Sequence, residues 1–153
     1  GLVQQTNMLE VMESRLQIEP GLARLAALRA SPEQLALMQR MLERIDNVSA
    51  EDPDLNELWD SAFHRAIAEA AGNRLLLGLF DTLDAVRREP AWHHLRELAR
   101  TPAKVDRYND HHHRIMQAIR DRKPAAAAMA MREHLLDLQY ALIQAIHIED
   151  DMP

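Results

Sequence analysis

The chain of 153 residues is 47% apolar, 4% aromatic and 27% charged, with seven Pro, four Gly and no Cys. That length suits one domain burying roughly 70% of its unfolded surface, and the composition excludes disorder, a disulfide framework, thiolate metal ligands and a thiol nucleophile. The formal charge is −6, from 24 acidic against 18 basic residues, and no basic run exceeds Arg87-Arg88, which argues against DNA binding by this chain unaided.

Residues 1–7 read as a connector, and Gly1 leading directly into helical sequence is expected of a piece of a longer protein. Neither a signal peptide nor an apolar run of roughly 20 residues is present, so no membrane partner is expected and the cytoplasm is the expected location. The first predicted helices cover 4–19 and 21–30, divided at Pro20-Gly21. The next, 32–48, opens on Ser31-Pro32-Glu33-Gln34, a cap with Pro at the first helical position and Gln placed for a capping box. Asp52-Pro53 opens 53–71, and 73–89 and 91–100 follow, either apart or as one helix kinked at Pro90. Thr101-Pro102 opens 102–121. The last helix, 124–148, starts on the small residues Ala125–Ala128, which suit close packing, and 149–153 is expected to fray. No segment alternates with a period of two, so the fold class is all-α, and short connections favour an antiparallel bundle.

The informative positions are polar residues that interrupt apolar stripes. In 102–121 the inward line runs Val105, Tyr108, His112, Ile115, Ile119, with His111 and His113 about 100° to either side. In 124–148, His134 lies on the face defined by Met131, Leu135, Leu138 and Leu142. In 53–71, Asp60 and His64 stack one turn apart beside Phe63 and Ile67. A lone His on an apolar face is more often a satisfied core residue than a ligand. Together, however, Asp60, His64, His112 and His134 are four costly buried groups unless something pairs them. His93, His94, His111, His113 and His147 are assigned to the surface or to supporting positions around such a site.

The stretch from Asp60 through Phe63-His64 to Asn73, then His112-x-x-Ile115-x-x-x-Ile119 and His134-Leu135, resembles the signature of the FCD domain. That domain is the effector-binding half of FadR-type GntR transcriptional regulators. Arg15-Leu-Gln-Ile18-Glu19-Pro20 and Ala26-Ala27-Leu28-Arg29-Ala30 extend the resemblance over nearly all of residues 8–143. It implies a bundle of six to seven helices around a central metal and effector site, with 8–148 as the ligand-binding domain. It places the metal ligands on Asp60, His64, His112 and His134. The position before His112, commonly Glu in relatives, is His111 here, which alters the surroundings of the ligand set and not the set itself. Three imidazoles and a carboxylate suit a divalent transition ion, Zn, Ni, Fe, Mn or Co, with Zn and Ni foremost. An octahedral ion would keep two positions open for water or an effector carboxylate, whereas a tetrahedral zinc would be closed.

Arg15, on the seam with Met8 and Met12, either holds a second effector carboxylate or pairs with Glu19. Asn73 either lines the effector pocket or caps the next helix. The resulting expectation is a sensor for a small organic acid. It would act on DNA only through an N-terminal winged helix-turn-helix absent from these residues, as a homodimer on two-fold operators. Two alternatives are a helical metalloenzyme acting on a small acidic substrate and a metal-free structural bundle. The Glu-x-x-His pairs of di-iron bundles and the His-Glu-x-x-His motif are both missing, which weighs against the enzyme.

Overall fold

The computed structural model describes residues 7–48 and 52–151. Expectations that fall on 1–6, 49–51 and 152–153, including the helix start at residue 4, lie outside the described residues. Among the described residues there are seven helices: α1 (Met8–Arg29), α2 (Pro32–Asn47), α3 (Pro53–Ala70), α4 (Arg74–Arg87), α5 (His93–Ala99), α6 (Pro102–Arg120) and α7 (Pro124–Asp150). No strand occurs among the described residues. No helix there is long and apolar enough to cross a membrane.

The predicted caps are the ones that form. Ser31 and Gln34 exchange hydrogen bonds as a capping box, Gln34 N donating to Ser31 Oγ at 3.1 Å and Ser31 N to Gln34 Oε1 at 2.9 Å. Asp52 Oδ1 accepts from Leu55 N at 3.1 Å, and Thr101 Oγ1 takes Lys104 N at 3.4 Å. A further capping box, Asn7 with Glu10, starts α1. Each satisfies donors that a helix start leaves without partners.

The predicted boundary at Pro20 is corrected. Pro20 does not end the first helix; α1 runs through it. The proline removes one backbone donor, but the buried positions Met12, Arg15, Glu19, Leu22, Ala23 and Ala26 keep helical spacing across it. Packing of that continuous stripe outweighs the local loss. At Pro90 the two helices stay apart, the first of the two readings: α4 ends at Arg87, a 3-10 turn spans Pro90–Trp92, and α5 follows. At the far end α7 carries through Asp150, beyond the frayed end expected after Ile148.

Helix α1 packs most extensively on α7, which also contacts α5 and α6, while α3 lies against α1, α2 and α4. Three alanines of α1, Ala23, Ala26 and Ala27, and Ala127 of α7 are wholly buried, and such small side chains permit close helix approach. Around them sit Phe63, Met38, Leu42, Ile115, Ile119, Met131 and Leu135 in one core. The turn after α3 is anchored to α1 by Arg29, whose Nη1 donates to Ala71 O at 2.9 Å. Gly72 follows at φ +70, with Arg29 Cδ 3.2 Å from where a Cβ would stand. Gly72→Ala is therefore expected to cost about 1–2 kcal/mol, read as a lower urea midpoint at unchanged m-value; an unaltered midpoint would show that this turn tolerates a side chain.

Candidate metal centre

Four helices converge on one buried polar cluster. From α3, the i, i+4 spacing turns Asp60 and His64 to the same face. From α6 comes His112, from α7 His134, and α1 lies against all of them with Arg15 and Glu19. Asp60, His64, His112 and His134 are all buried, and each offers one donor atom within 4.8 Å of the others. The sequence-predicted ligand set is thus brought to one place.

The hydrogen bonds around these rings leave particular nitrogens bare. His64 Nδ1 lies 2.6 Å from Glu19 Oε1, so the carboxylate takes its N–H and fixes the tautomer with a lone pair on Nε2. His134 Nδ1 meets His111 Nδ1 at 3.1 Å. Unpartnered and shielded from solvent are His64 Nε2, His134 Nε2 and both nitrogens of His112. His112 Nε2 does approach Asp60 Oδ1 at 2.8 Å, but without hydrogen-bond alignment, and His64 Nε2 stands 3.6 Å from the same oxygen. Neighbouring ligands on an ion with bonds of about 2.1 Å are themselves about 3.0–3.4 Å apart. Three bare imidazole nitrogens facing a carboxylate are costly without a partner, and a divalent cation is the partner their chemistry fits.

Electrostatics favour the deprotonated donors that metal binding requires. Burial lowers the His112 pKa, with Asp60 opposing. Burial, then the neighbouring His112 and His64, holds His134 well below its ordinary value. For Asp60, burial pushes upward, yet His64 and His112 bring the carboxyl well below its usual range. Glu19 behaves alike: burial raises it, while Arg15 and His64 take it down to about 2.

Of the remaining predicted residues, Arg15 is buried and lines the cavity beside the cluster, with its Nε 2.5 Å from Glu19 Oε2. The predicted pair with Glu19 therefore forms. Asn73 is exposed; it caps α4, accepting from Leu76 N at 3.0 Å, and does not line the cavity. The capping alternative is the one realised. His111 is buried against His134, whereas His93, His94, His113 and His147 are exposed. The residue the sequence reading missed as part of the site is Glu19. It was read only as a partner for Arg15, and it joins the metal cluster through His64, which is 45 residues away.

A cavity of about 720 Å³, counted to its open mouth, adjoins the cluster. Met8, Met12, Leu138 and Leu142 supply apolar wall, and Asp60, His112 and His134 reach it from the polar cluster.

A helical bundle enclosing such a donor set beside an open cavity has the build of a ligand-binding module. The chain belongs to the FCD domain family, whose pattern matches residues 10–137. It is 30% identical over 146 residues to the HTH-type transcriptional regulator LutR of Bacillus subtilis, covering 92% of this chain and 64% of that protein. It is 27% identical over 143 residues to the Uxu operon transcriptional regulator of Escherichia coli K12, covering 92% and 56% respectively. A solved structure of Streptococcus agalactiae GntR superposes with a TM-score of 0.70 at 28% identity, over 86% of this chain and 57% of that one. The chain thus spans between 56% and 64% of the length of these proteins. The relatives are transcriptional regulators, not enzymes.

Two outcomes follow from the site. In chelator-treated protein, the lowered pKa values of His112 and His134 mean that the unfolded chain binds protons first as pH falls. Their contribution is complete above the unfolded value of 6.5 and is lost as pH falls below it. Glu19 and Asp60 extend the loss below the ordinary carboxyl values of 4.5 and 3.8. The melting temperature of metal-free protein is therefore expected to drop between pH 7 and 5, and a flat profile there would contradict the burial of neutral imidazoles. Glu19→Gln removes the charge behind His64 and should weaken zinc binding about 10–100-fold in a chelator competition, with stoichiometry unchanged.

Proposed function

We propose that residues 8–148 are the metal-dependent sensor domain of a GntR-family transcriptional regulator, responding to a small organic acid. The observation that carries this reading is the set of bare, buried nitrogens on His64, His112 and His134 around Asp60, opening onto a cavity that also holds Arg15. Asp60, His64, His112 and His134 would hold the ion, Zn or Ni foremost among Zn, Ni, Fe, Mn and Co. A divalent ion there supplies Lewis-acid attraction for an effector carboxylate. Arg15 keeps N–H groups beyond those used on Glu19 and Met12, and a guanidinium so placed can hold a carboxylate oxygen.

The response would be mechanical. Glu19 ties α1 to α3 through His64, and His112 and His134 bring α6 and α7 to the same point. An acid bound among these side chains changes what four helices share at their meeting place, and a population shift in their packing can be passed to a separate DNA-binding domain. That domain would be an N-terminal winged helix-turn-helix, and the whole regulator a cytoplasmic homodimer on paired operator half-sites. The charge of −6 on this chain agrees with DNA contact made elsewhere.

Metal analysis of tag-free protein tests the reading. About one transition ion per chain is expected, lost in His134→Ala and in His112→Ala. Organic acids should then raise the melting temperature of wild-type protein in a saturable manner and leave His134→Ala unmoved. Metal-free wild-type protein whose stability is unchanged by both substitutions would overturn it.

A further inference from the structure

The wall of the cavity opposite the apolar residues is built from arginines, and their partners do not balance. Glu57 is approached by three guanidiniums: Arg87 Nη1 at 3.0 Å, Arg96 Nε at 3.5 Å and Arg100 Nη1 at 3.6 Å. Arg87 is fully engaged, since it also bonds Asp84 Oδ1 at 2.8 Å and Ser61 Oγ at 2.8 Å. Arg96 spends Nη1 on two backbone carbonyls, Arg87 O at 2.7 Å and Glu89 O at 3.1 Å. Arg100 has nothing comparable. Its contacts are Pro53 O at 3.5 Å and the distant Glu57 oxygen, both at or beyond the limit of a hydrogen bond. Four arginines, Arg87, Arg88, Arg96 and Arg100, thus share the two carboxylates Glu57 and Asp84, and among the described residues Arg100 is the one with the longest contacts.

A second observation points to the same place. Tyr108 is 5% exposed, and its hydroxyl, shielded from solvent, makes no well-aligned hydrogen bond among the described residues, although the Arg107 guanidinium lies near it. It stands on α6 one turn before His112, its ring packed edge-on against His134 with centroids 5.8 Å apart. Tyr108 and Arg100 both line the cavity that Asp60, His112 and His134 reach from the polar cluster. Arg100 is close enough for its charge to lower the pKa values of both Asp60 and His112. A buried hydroxyl without a well-aligned partner and a guanidinium with spare donors are two groups that a bound anion satisfies together.

We infer that Arg100 and Tyr108 form a second anion station in the cavity, so that the effector is a small acid carrying two anionic groups, one toward the metal ligands and one on this pair. The inference rests on the sensor reading above. It moves the second acidic group from Arg15, which is committed in part to Glu19, to the corner between α5 and α6 where Arg100 sits. The shared chemistry is a distal carboxylate or phosphate.

Calorimetry on zinc-loaded chain with matched pairs of acids tests it: lactate and malate, gluconate and glucarate, glycerate and 3-phosphoglycerate. The first two pairs add a carboxylate and the third a phosphate. In at least one pair the doubly charged member should bind at least about ten-fold tighter, the worth of one charge-assisted hydrogen bond. Arg100→Gln should abolish that preference, and Tyr108→Phe should reduce it by a smaller factor, with circular dichroism confirming that both variants fold. No preference in any pair, including no binding by any acid, or a preference that survives Arg100→Gln, overturns the inference. Metal content measured on the same samples separates the two levels: zinc retained without a diacid preference defeats this inference alone, and failure to hold zinc defeats the sensor reading beneath it.

Discussion

A carboxylate in the middle of a helical bundle must be matched from two sides, and Glu19 is. Arg15, one turn earlier on the same helix, takes one oxygen at 2.5 Å, and His64 from another helix takes the other at 2.6 Å. Removing one partner from such a buried arrangement typically costs about 3–5 kcal/mol, because the remaining charge is left without water or counter-charge. The pairing therefore fixes how α1 lies on α3. It also decides which nitrogen of His64 faces Asp60, so a packing constraint and a chemical one are met by a single side chain.

The polar centre is embedded in apolar packing. Phe63 sits edge-on to His112 with ring centroids 5.2 Å apart, between neighbours that are themselves donors. Ile115 and Ile119 continue the stripe that His112 interrupts, and Leu135 follows His134. The apolar shell excludes water and lowers the local dielectric, which strengthens whatever charge the centre receives. The same shell makes the site expensive when nothing is bound. Stability and any occupant of the centre are thus coupled through the same side chains.

Much of this was legible in the sequence because its causes are local. Caps at Ser31, Asp52 and Thr101 and the three-and-four spacing of apolar residues give helix starts and inward faces. The inward polar positions could be found because His112 and His134 break an otherwise apolar line, while their reading as metal ligands rested on the family resemblance. Pro20 misled because its local cost is plain in sequence, whereas the packing that overrides it depends on α7, more than 100 residues later. Glu19 was hidden by a plausible partner nearby: an i, i+4 arginine explains a glutamate fully until a histidine from another helix arrives. Arg100 was invisible for a different reason. A surplus of positive charge is a property of a neighbourhood, and Glu57, Arg87, Arg96 and Arg100 are neighbours only after folding.

The order of the donors along the chain has a temporal consequence. Asp60 and His64 emerge from the ribosome before His112, and His134 follows on α7. Until α7 has been made and has docked on α1, the cluster lacks a ligand and the cavity lacks the wall supplied by Leu138 and Leu142. A polypeptide that stops short of α7 cannot assemble the complete donor set. The cluster is in this sense a late product of the chain, complete only once α7 has docked on α1.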